Sequence, residues 1–136
     1  METNYMLIIA ASLAQFILGA LWYSPLMFGK WWMEIMEATN LPVEQLKKMQ
    51  KEMTPFYGLQ LFLTLFSTFA LVNLAVATPF SLYHVAFWVW LSFIVPTQIS
   101  GVVWANTKKK FWVKQIFVMA SYQLVGLMVA AFILSM

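Results

Sequence analysis

The sequence predicts an all-α integral membrane protein built as a four-helix bundle. Residues 3–29, 53–107 and 115–136 contain no Asp, Glu, Lys or Arg. A helix needs about 20 apolar residues to cross roughly 30 Å of hydrocarbon, so the middle stretch is long enough for two crossings. Of all residues, 62% are hydrophobic and 10% are charged, whereas a soluble domain has about 25% charged residues.

The four predicted spans cover about residues 5–24, 56–77, 82–104 and 114–135. The turn-like segment Ala77-Thr78-Pro79-Phe80-Ser81 separates the second span from the third. The first span has no basic region before it and no small-residue cleavage site after it, so we expect a retained helix rather than a signal peptide. Connections 25–55 and 105–113 are too short for a soluble domain, which predicts a single transmembrane domain over residues 1–136.

The connection between spans 1 and 2 is predicted to contain a short amphipathic interfacial helix. Pro42 suits a first helical turn, and apolar side chains then recur on one face while lysines occupy the others: Val43, Leu46, Met49 and Met53 against Lys47, Lys48 and Lys51. A basic amphipathic helix of this kind lies in the plane of the membrane interface. It serves either as a simple anchor or as a gate or docking surface.

All eight Lys and Arg residues are lysines, and they lie between spans 1 and 2 or between spans 3 and 4. The positive-inside rule predicts that both connections are cytoplasmic and that both termini are outside. Lysines beside membrane spans favour anionic lipid headgroups as partners, rather than nucleic acid.

Composition argues against catalysis. The chain has no Cys, Asp or Arg, and His84 is its single histidine. A disulfide framework is therefore impossible, and one histidine without Cys or Asp does not predict a metal site. We expect no catalytic residues, no metal and no cofactor.

Polar side chains inside the spans predict either hydrogen bonds between helices or a polar pocket. Pro96 is expected to kink the third span, because it cannot donate a hydrogen bond to the Ser92 carbonyl. The candidate pocket residues are all uncharged and lie mostly in the half of the membrane nearer the lysines: Gln15, Gln60, Thr64, Thr97, Gln98 and Gln123.

Small residues four apart in spans 1 and 4 predict close helix packing. The pairs are Ala10 with Ala14 and Gly126 with Ala130. Such pairs let helix backbones approach each other. Because four short helices enclose little interior of their own, we expect a homo-oligomer formed through these faces.

A distinctive motif begins at the end of the first span: Trp22-Tyr23-Ser24-Pro25 followed by Phe28-Gly29-Lys30. We call it the signature motif. It resembles the pattern of a bacterial membrane family known as domain of unknown function 1761. The resemblance covers nearly the whole chain and implies four spans, with this motif closing the first, in a bacterial cytoplasmic membrane. It implies no known activity.

The motif also has a physical interpretation. Pro25 is expected to end the first helix, because the residue before a proline avoids helical angles. Gly29 is expected to permit a tight turn. The aromatic side chains are expected to pack as a layer at headgroup depth.

Two functional hypotheses remain. The first is a non-enzymatic membrane protein that acts through oligomers or partners. The alternative is a passive channel or small-solute transporter with an uncharged polar pocket in the cytoplasmic half.

Overall fold

The computed structural model describes residues 4–105 and 107–136, and its elements are all helical within those ranges. The α-helices are α1 (Tyr5–Trp22), α2 (Gly29–Ile35), α3 (Val43–Val76), α4 (Leu82–Val89), α5 (Val95–Trp104) and α6 (Trp112–Leu134). A π-helical turn, Trp90–Ile94, joins α4 to α5, and a 3₁₀ turn, Lys109–Phe111, precedes α6. Four helical segments are long and apolar enough to cross a membrane, which confirms the predicted all-α membrane bundle.

Helix α6 is the centre of the bundle, since it packs against α1, α2, α4, the π turn and α5. Helix α3 packs mainly against α1 and α4. The hydrophobic core lies where the amino-terminal part of α1 and the carboxyl-terminal parts of α3 and α6 meet α4, and it includes Ile8, Leu71, Ala86 and Ala131. The first half of α3 lies outside this core and is almost entirely exposed.

The amphipathic segment after Pro42 is helical, as expected, but it is not a separate helix in the interface plane. It continues directly into the second span, so that α3 has 34 residues with Pro55 inside it. At 1.5 Å per residue such a helix is about 51 Å long, well beyond the hydrocarbon thickness. Pro55 removes only one backbone donor, and the preceding turn is supported by the Thr54 hydroxyl, which donates to the Gln50 carbonyl at 3.2 Å.

A π turn immediately precedes Pro96 in the third span. The Val95 N–H donates to the Trp90 carbonyl, a bond that reaches five residues back instead of four. Pro96 then stands at the start of α5, where its missing N–H is tolerated. The irregularity that the sequence predicted at Pro96 therefore takes the form of one wider helical turn before it.

Both lysine-bearing connections lie at the same end of the bundle. Lys108 Nζ is 2.6 Å from the Glu37 carboxylate, and Lys114 Nζ is 3.3 Å from the Glu34 carboxylate. These ion pairs join the segment around α2 to the beginning of α6. We refer to this end of the bundle as the lysine end.

Of the two small-residue pairs predicted to mediate oligomerisation, the pair on α6 is used inside the protomer. Gly126 and Ala130 are buried, whereas on α1 Ala10 is exposed and Ala14 is half-buried. A Cβ added at Gly126 would lie 3.8 Å from the Gln15 side chain. Gly126 and Ala130 allow α1 and α6 to pack closely, so this pair does not form a free surface for a second copy.

Candidate functional site

A cavity of about 430 Å³ lies between α3 and the rest of the bundle. Helices α1 and α6 contribute Gln15, Gln123 and Leu127, and the third span contributes Val89 and Ile94. Most of the lining residues belong to α3: Gln60, Leu63, Thr64, Phe66, Ser67, Ala70, Leu71 and Leu74. The lining contains five polar side chains and no charged one.

Hydrogen bonds hold the α1 side of the cavity to α3. The Gln15 amide donates to the Thr68 hydroxyl oxygen at 2.9 Å and to the Ala11 carbonyl at 3.2 Å. Thr68 in turn donates to the Thr64 carbonyl at 2.7 Å. Both Gln15 and Thr68 are buried, so this contact is the interhelical bonding that the sequence allowed as one of its two interpretations.

Other polar groups on the cavity wall have unused hydrogen-bonding capacity. Among the described residues, the Gln123 carboxamide and the Ser67 hydroxyl make no hydrogen bond, although other hydroxyls and amides do. Gln60 uses its amide nitrogen on the Thr64 hydroxyl at 3.3 Å, which leaves its oxygen free. An unpaired amide in an apolar medium costs several kcal/mol, so a molecule that hydrogen-bonds to these partly exposed groups would be stabilised in the cavity.

The structure brings together four of the six candidate pocket residues and leaves two outside. Gln15, Gln60, Thr64 and Gln123 line the cavity. Thr97 is exposed on α5, and Gln98 is half-buried with a shielded side-chain oxygen that has no hydrogen-bond partner among the described residues. The Gln115 side-chain oxygen on α6 is also shielded and has no hydrogen-bond partner among the described residues.

The π turn gives a physical reason why Thr97 and Gln98 lie outside the cavity. Successive residues of an α-helix are about 100° apart around its axis, so one extra residue in a turn rotates everything after it by about that angle. Val89 and Ile94 line the cavity, whereas none of the residues of α5 does. The α5 residues that would face the cavity in an uninterrupted helix therefore point away from it.

Ser67 belongs to the site but was not among the candidate pocket residues. It is three residues after Thr64 and seven after Gln60, so helical spacing places all three on one face. This spacing can be read from the sequence, and it predicts that Ser67 lies beside Gln60 and Thr64. The apolar wall, including Phe66 and Leu127, has no comparable signal, because nearly every position of these spans is apolar.

The signature motif forms a tight turn between α1 and α2. The Gly29 N–H donates to the Ser24 carbonyl at 2.8 Å, and the Phe28 N–H donates to the Trp22 carbonyl at 3.0 Å. A Cβ at Gly29 would lie 2.5 Å from the Ser24 carbonyl carbon and 2.9 Å from the Tyr23 oxygen. Glycine is required here because backbones approach closely, and not because of a positive φ, which Gly29 does not have.

The aromatic residues of the motif join α2 to α1 and α6. The Trp22 ring lies 5.0 Å from Phe28, and Tyr23 lies 4.9 Å from Trp32. The Trp22 indole N–H donates to the Val118 carbonyl at 3.0 Å. The structure thus contains the predicted aromatic layer, which extends to α6. Pro25 follows the end of α1, as expected, and Lys30 is exposed.

Tyr122 connects this aromatic layer to the cavity. Its ring centroid lies 5.7 Å from that of Tyr23, and its hydroxyl donates to the Gln15 carbonyl at 3.0 Å. Gly19 makes room for this contact, since a Cβ there would lie 2.8 Å from the Tyr122 hydroxyl oxygen. The motif therefore stabilises the packing of α1 against α6, the two helices that carry Gln15 and Gln123.

Charges at the lysine end hold α2 in place. Glu37 has a positive φ of 57° and follows the end of α2, where the Ala38 N–H donates to the Met33 carbonyl, as in a Schellman motif. The hydrogen bond and the charge of Lys108 lower the pKa of the Glu37 carboxyl. This glutamate therefore stays ionised and paired at neutral pH.

The comparisons with known proteins give one match. The model of a family described as "Protein of unknown function (DUF1761)" matches residues 6–135. No curated protein and no solved structure matches the chain significantly.

Proposed function

The chain belongs to the DUF1761 family of proteins of unknown function, and we propose that it is a non-enzymatic membrane protein that binds an uncharged, hydrogen-bonding ligand in the cavity. One observation carries the proposal: the Gln123 carboxamide and the Ser67 hydroxyl face a cavity of about 430 Å³ without a partner among the described residues. Ligand pockets commonly have volumes of about 300–1,000 Å³, with apolar walls and a few polar groups.

The absence of charge in the lining indicates the class of ligand. The polar wall consists of amides and hydroxyls, which both donate and accept hydrogen bonds. A charged ligand would be buried without a counter-ion at a cost of many kcal/mol. Neutral groups such as hydroxyl, carbonyl and amide match this wall.

The non-enzymatic part of the proposal rests on the same residues. Nucleophilic catalysis by a hydroxyl needs an adjacent general base. The cavity lining offers no histidine, carboxylate, amine or thiol. Binding, carrying or passive passage of a ligand needs none of these groups.

Homo-oligomerisation through α3 and α5 is a second proposal, and the open glycines support it. Gly58 in α3 and Gly101 in α5 have no atom within 4 Å of an added Cβ. Thr97 and Ser100 are exposed on α5 in the same span. Small and hydroxyl-bearing residues favour contact between helices in membranes, so these faces are better candidates than the buried face of Gly126.

We further propose that the protein resides in a bacterial cytoplasmic membrane, with its lysine end in the cytoplasm and both termini outside. The lysines share one end of the bundle, and cytoplasmic connections carry such an excess. Lys30, Lys109 and Lys110 are exposed there and are suited to anionic lipid headgroups.

Cysteine labelling in liposomes tests the ligand-binding proposal. The chain has no native cysteine, so Gln123→Cys introduces a single thiol into the cavity wall. We expect a small, membrane-permeant maleimide to label it, because the cavity is open along α3. Val118→Cys on the same helix is the matched control, since Val118 is fully buried and should remain unlabelled. If Gln123→Cys reacts no faster than Val118→Cys, the cavity is closed and the proposal fails.

A further inference from the structure

The cavity changes in polarity along its length. On α3, the lining residues toward the lysine end include Gln60, Thr64 and Ser67, whereas those further along are Ala70, Leu71 and Leu74. Opposite the apolar part lie Val89 and Leu127. The wall therefore offers hydrogen bonds at one end and only apolar contacts at the other.

The cavity extends along α3. Gln60 and Leu74 are separated by fourteen residues of one helix, which corresponds to about 21 Å along its axis. The apolar part of that length, from Ser67 to Leu74, is seven residues or about 10 Å, and a volume of about 430 Å³ has room for the first part of a hydrocarbon chain there. Gln60 lies seven residues, about two turns, after Met53, where the uncharged part of α3 begins, so the polar end of the cavity is on the side of the lysine end.

The cavity is open along its α3 side. Leu63, Phe66 and Leu74 line it and are also 47%, 65% and 48% exposed. These residues belong to the part of α3 that is apolar enough to span a membrane. The opening therefore faces lipid, and a molecule dissolved in the bilayer reaches the cavity without crossing a loop.

From these three features we infer that the ligand is a single-chain amphiphile with an uncharged headgroup, such as a long-chain alcohol or amide, that enters sideways from the membrane. Its headgroup bonds to Ser67 and Gln123, and its chain lies along Leu71, Leu74 and Leu127. This inference rests on the proposed function, since it specifies the ligand of the same cavity.

Photo-crosslinking in liposomes tests the inference. The probe is a long-chain alcohol with a diazirine in the middle of its chain, and the matched probe is the corresponding alkane without the hydroxyl. We expect the alcohol to crosslink to Leu71, Leu74 or Leu127 and an excess of unlabelled alcohol to prevent this. The alkane should crosslink much less. Equal crosslinking by both probes would overturn the inference, because the cavity would then hold any lipid chain.

Two variants of the cavity provide independent checks. Ser67→Ala combined with Gln123→Leu removes both headgroup partners. We expect crosslinking to fall about five- to tenfold. Ala70→Leu leaves the polar groups intact and narrows the apolar half, so it should also lower crosslinking. Ser135→Ala, which lies at the end of α6 outside the cavity lining, is the control and should behave like the natural protein. Normal crosslinking in both cavity variants would refute the assignment.

The outcomes separate this inference from the proposed function. If Gln123→Cys is labelled but the alcohol does not crosslink, the cavity is open to a different ligand and only the inference fails. If neither occurs, both fail. Crosslinks from the cavity residues to a second protomer would show that another copy fills the groove, and would also overturn the inference.

Discussion

Single residues of the signature motif, together with Tyr122 on α6, act through backbone contacts and shielded hydrogen bonds. Gly29 lies against the Ser24 carbonyl, Trp22 donates to the backbone of α6, and Tyr122 donates to the backbone of α1 beside the cavity. The sequence identified the motif and its position at the end of the first span. It did not identify Gly19 and Tyr122 as partners, because their contact joins residues about 100 positions apart and depends on how α1 and α6 pack.

Gly29→Ala should be strongly destabilising. Its Cβ would lie within 2.6 Å of two backbone atoms of Ser24, and such a clash costs about 1–3 kcal/mol or more because the backbone must move. Gly58→Ala is the matched control, since its Cβ meets nothing within 4 Å and alanine is better than glycine inside a helix by about 0.5–1 kcal/mol. Thermal unfolding in detergent measures both, and an unchanged midpoint for Gly29→Ala would contradict this account.

Glu37 should make stability depend on pH. Its pKa in the folded protein is lowered by Lys108, so its contribution is fully present above the unfolded value near 4.5 and is lost as the pH falls through the folded value. Glu37→Gln lacks this contribution at every pH. The difference in unfolding midpoint between the two proteins should therefore shrink on acidification from about pH 6 to about pH 3. A constant difference over that range would refute the assigned role of the ion pair.

At the scale of helices, hydropathy indicated where the apolar helices lie, but it did not predict how the helices continue. The predicted third span, 82–104, coincides with Leu82–Trp104, because Ser81 caps its start and polar residues follow its end. Pro55 was expected to lie outside the second span, yet α3 continues through it. The π turn gives no sequence signal except Pro96, and it rotates Thr97 and Gln98 away from the cavity.

The exposed faces of α3 and α5 lead to a prediction about association. We expect Gly101→Leu to weaken a homo-oligomer without unfolding the protomer, because its Cβ position is open. Gly126→Leu should instead destabilise the protomer, since Gly126 is buried against Gln15. Light scattering in several detergents combined with thermal unfolding distinguishes the two effects. Identical masses for Gly101→Leu and the natural protein would exclude the α5 face.

At the scale of the whole molecule, the position of the lysines follows from the sequence, but the position of the cavity does not. The eight-to-zero distribution of lysines between the two ends predicted that the connections share one end, and the Glu37–Lys108 pair agrees. The cavity exists because α3 packs against α1 and α4 and leaves a space between itself and α6. That arrangement depends on tertiary packing, which periodicity within single spans does not report.

Topology is testable with reporter fusions. A reporter that is active only outside the cytoplasm, fused after Met136, should be active, because the positive-inside rule places the lysine end in the cytoplasm. A fusion within the connection that follows α2 should be inactive and serves as the control. The reverse pattern would contradict the proposed orientation and would place the polar end of the cavity in the outer half of the membrane.

The most direct test of the central claim is a high-resolution structure of the protein in lipid nanodiscs. We expect elongated non-protein density in the cavity, with one end within about 3.2 Å of the Gln123 carboxamide or the Ser67 hydroxyl. If the cavity is instead closed, with the Gln123 side chain hydrogen-bonded directly to Gln60 or Ser67, the polar residues only join helices and the ligand-binding account is wrong.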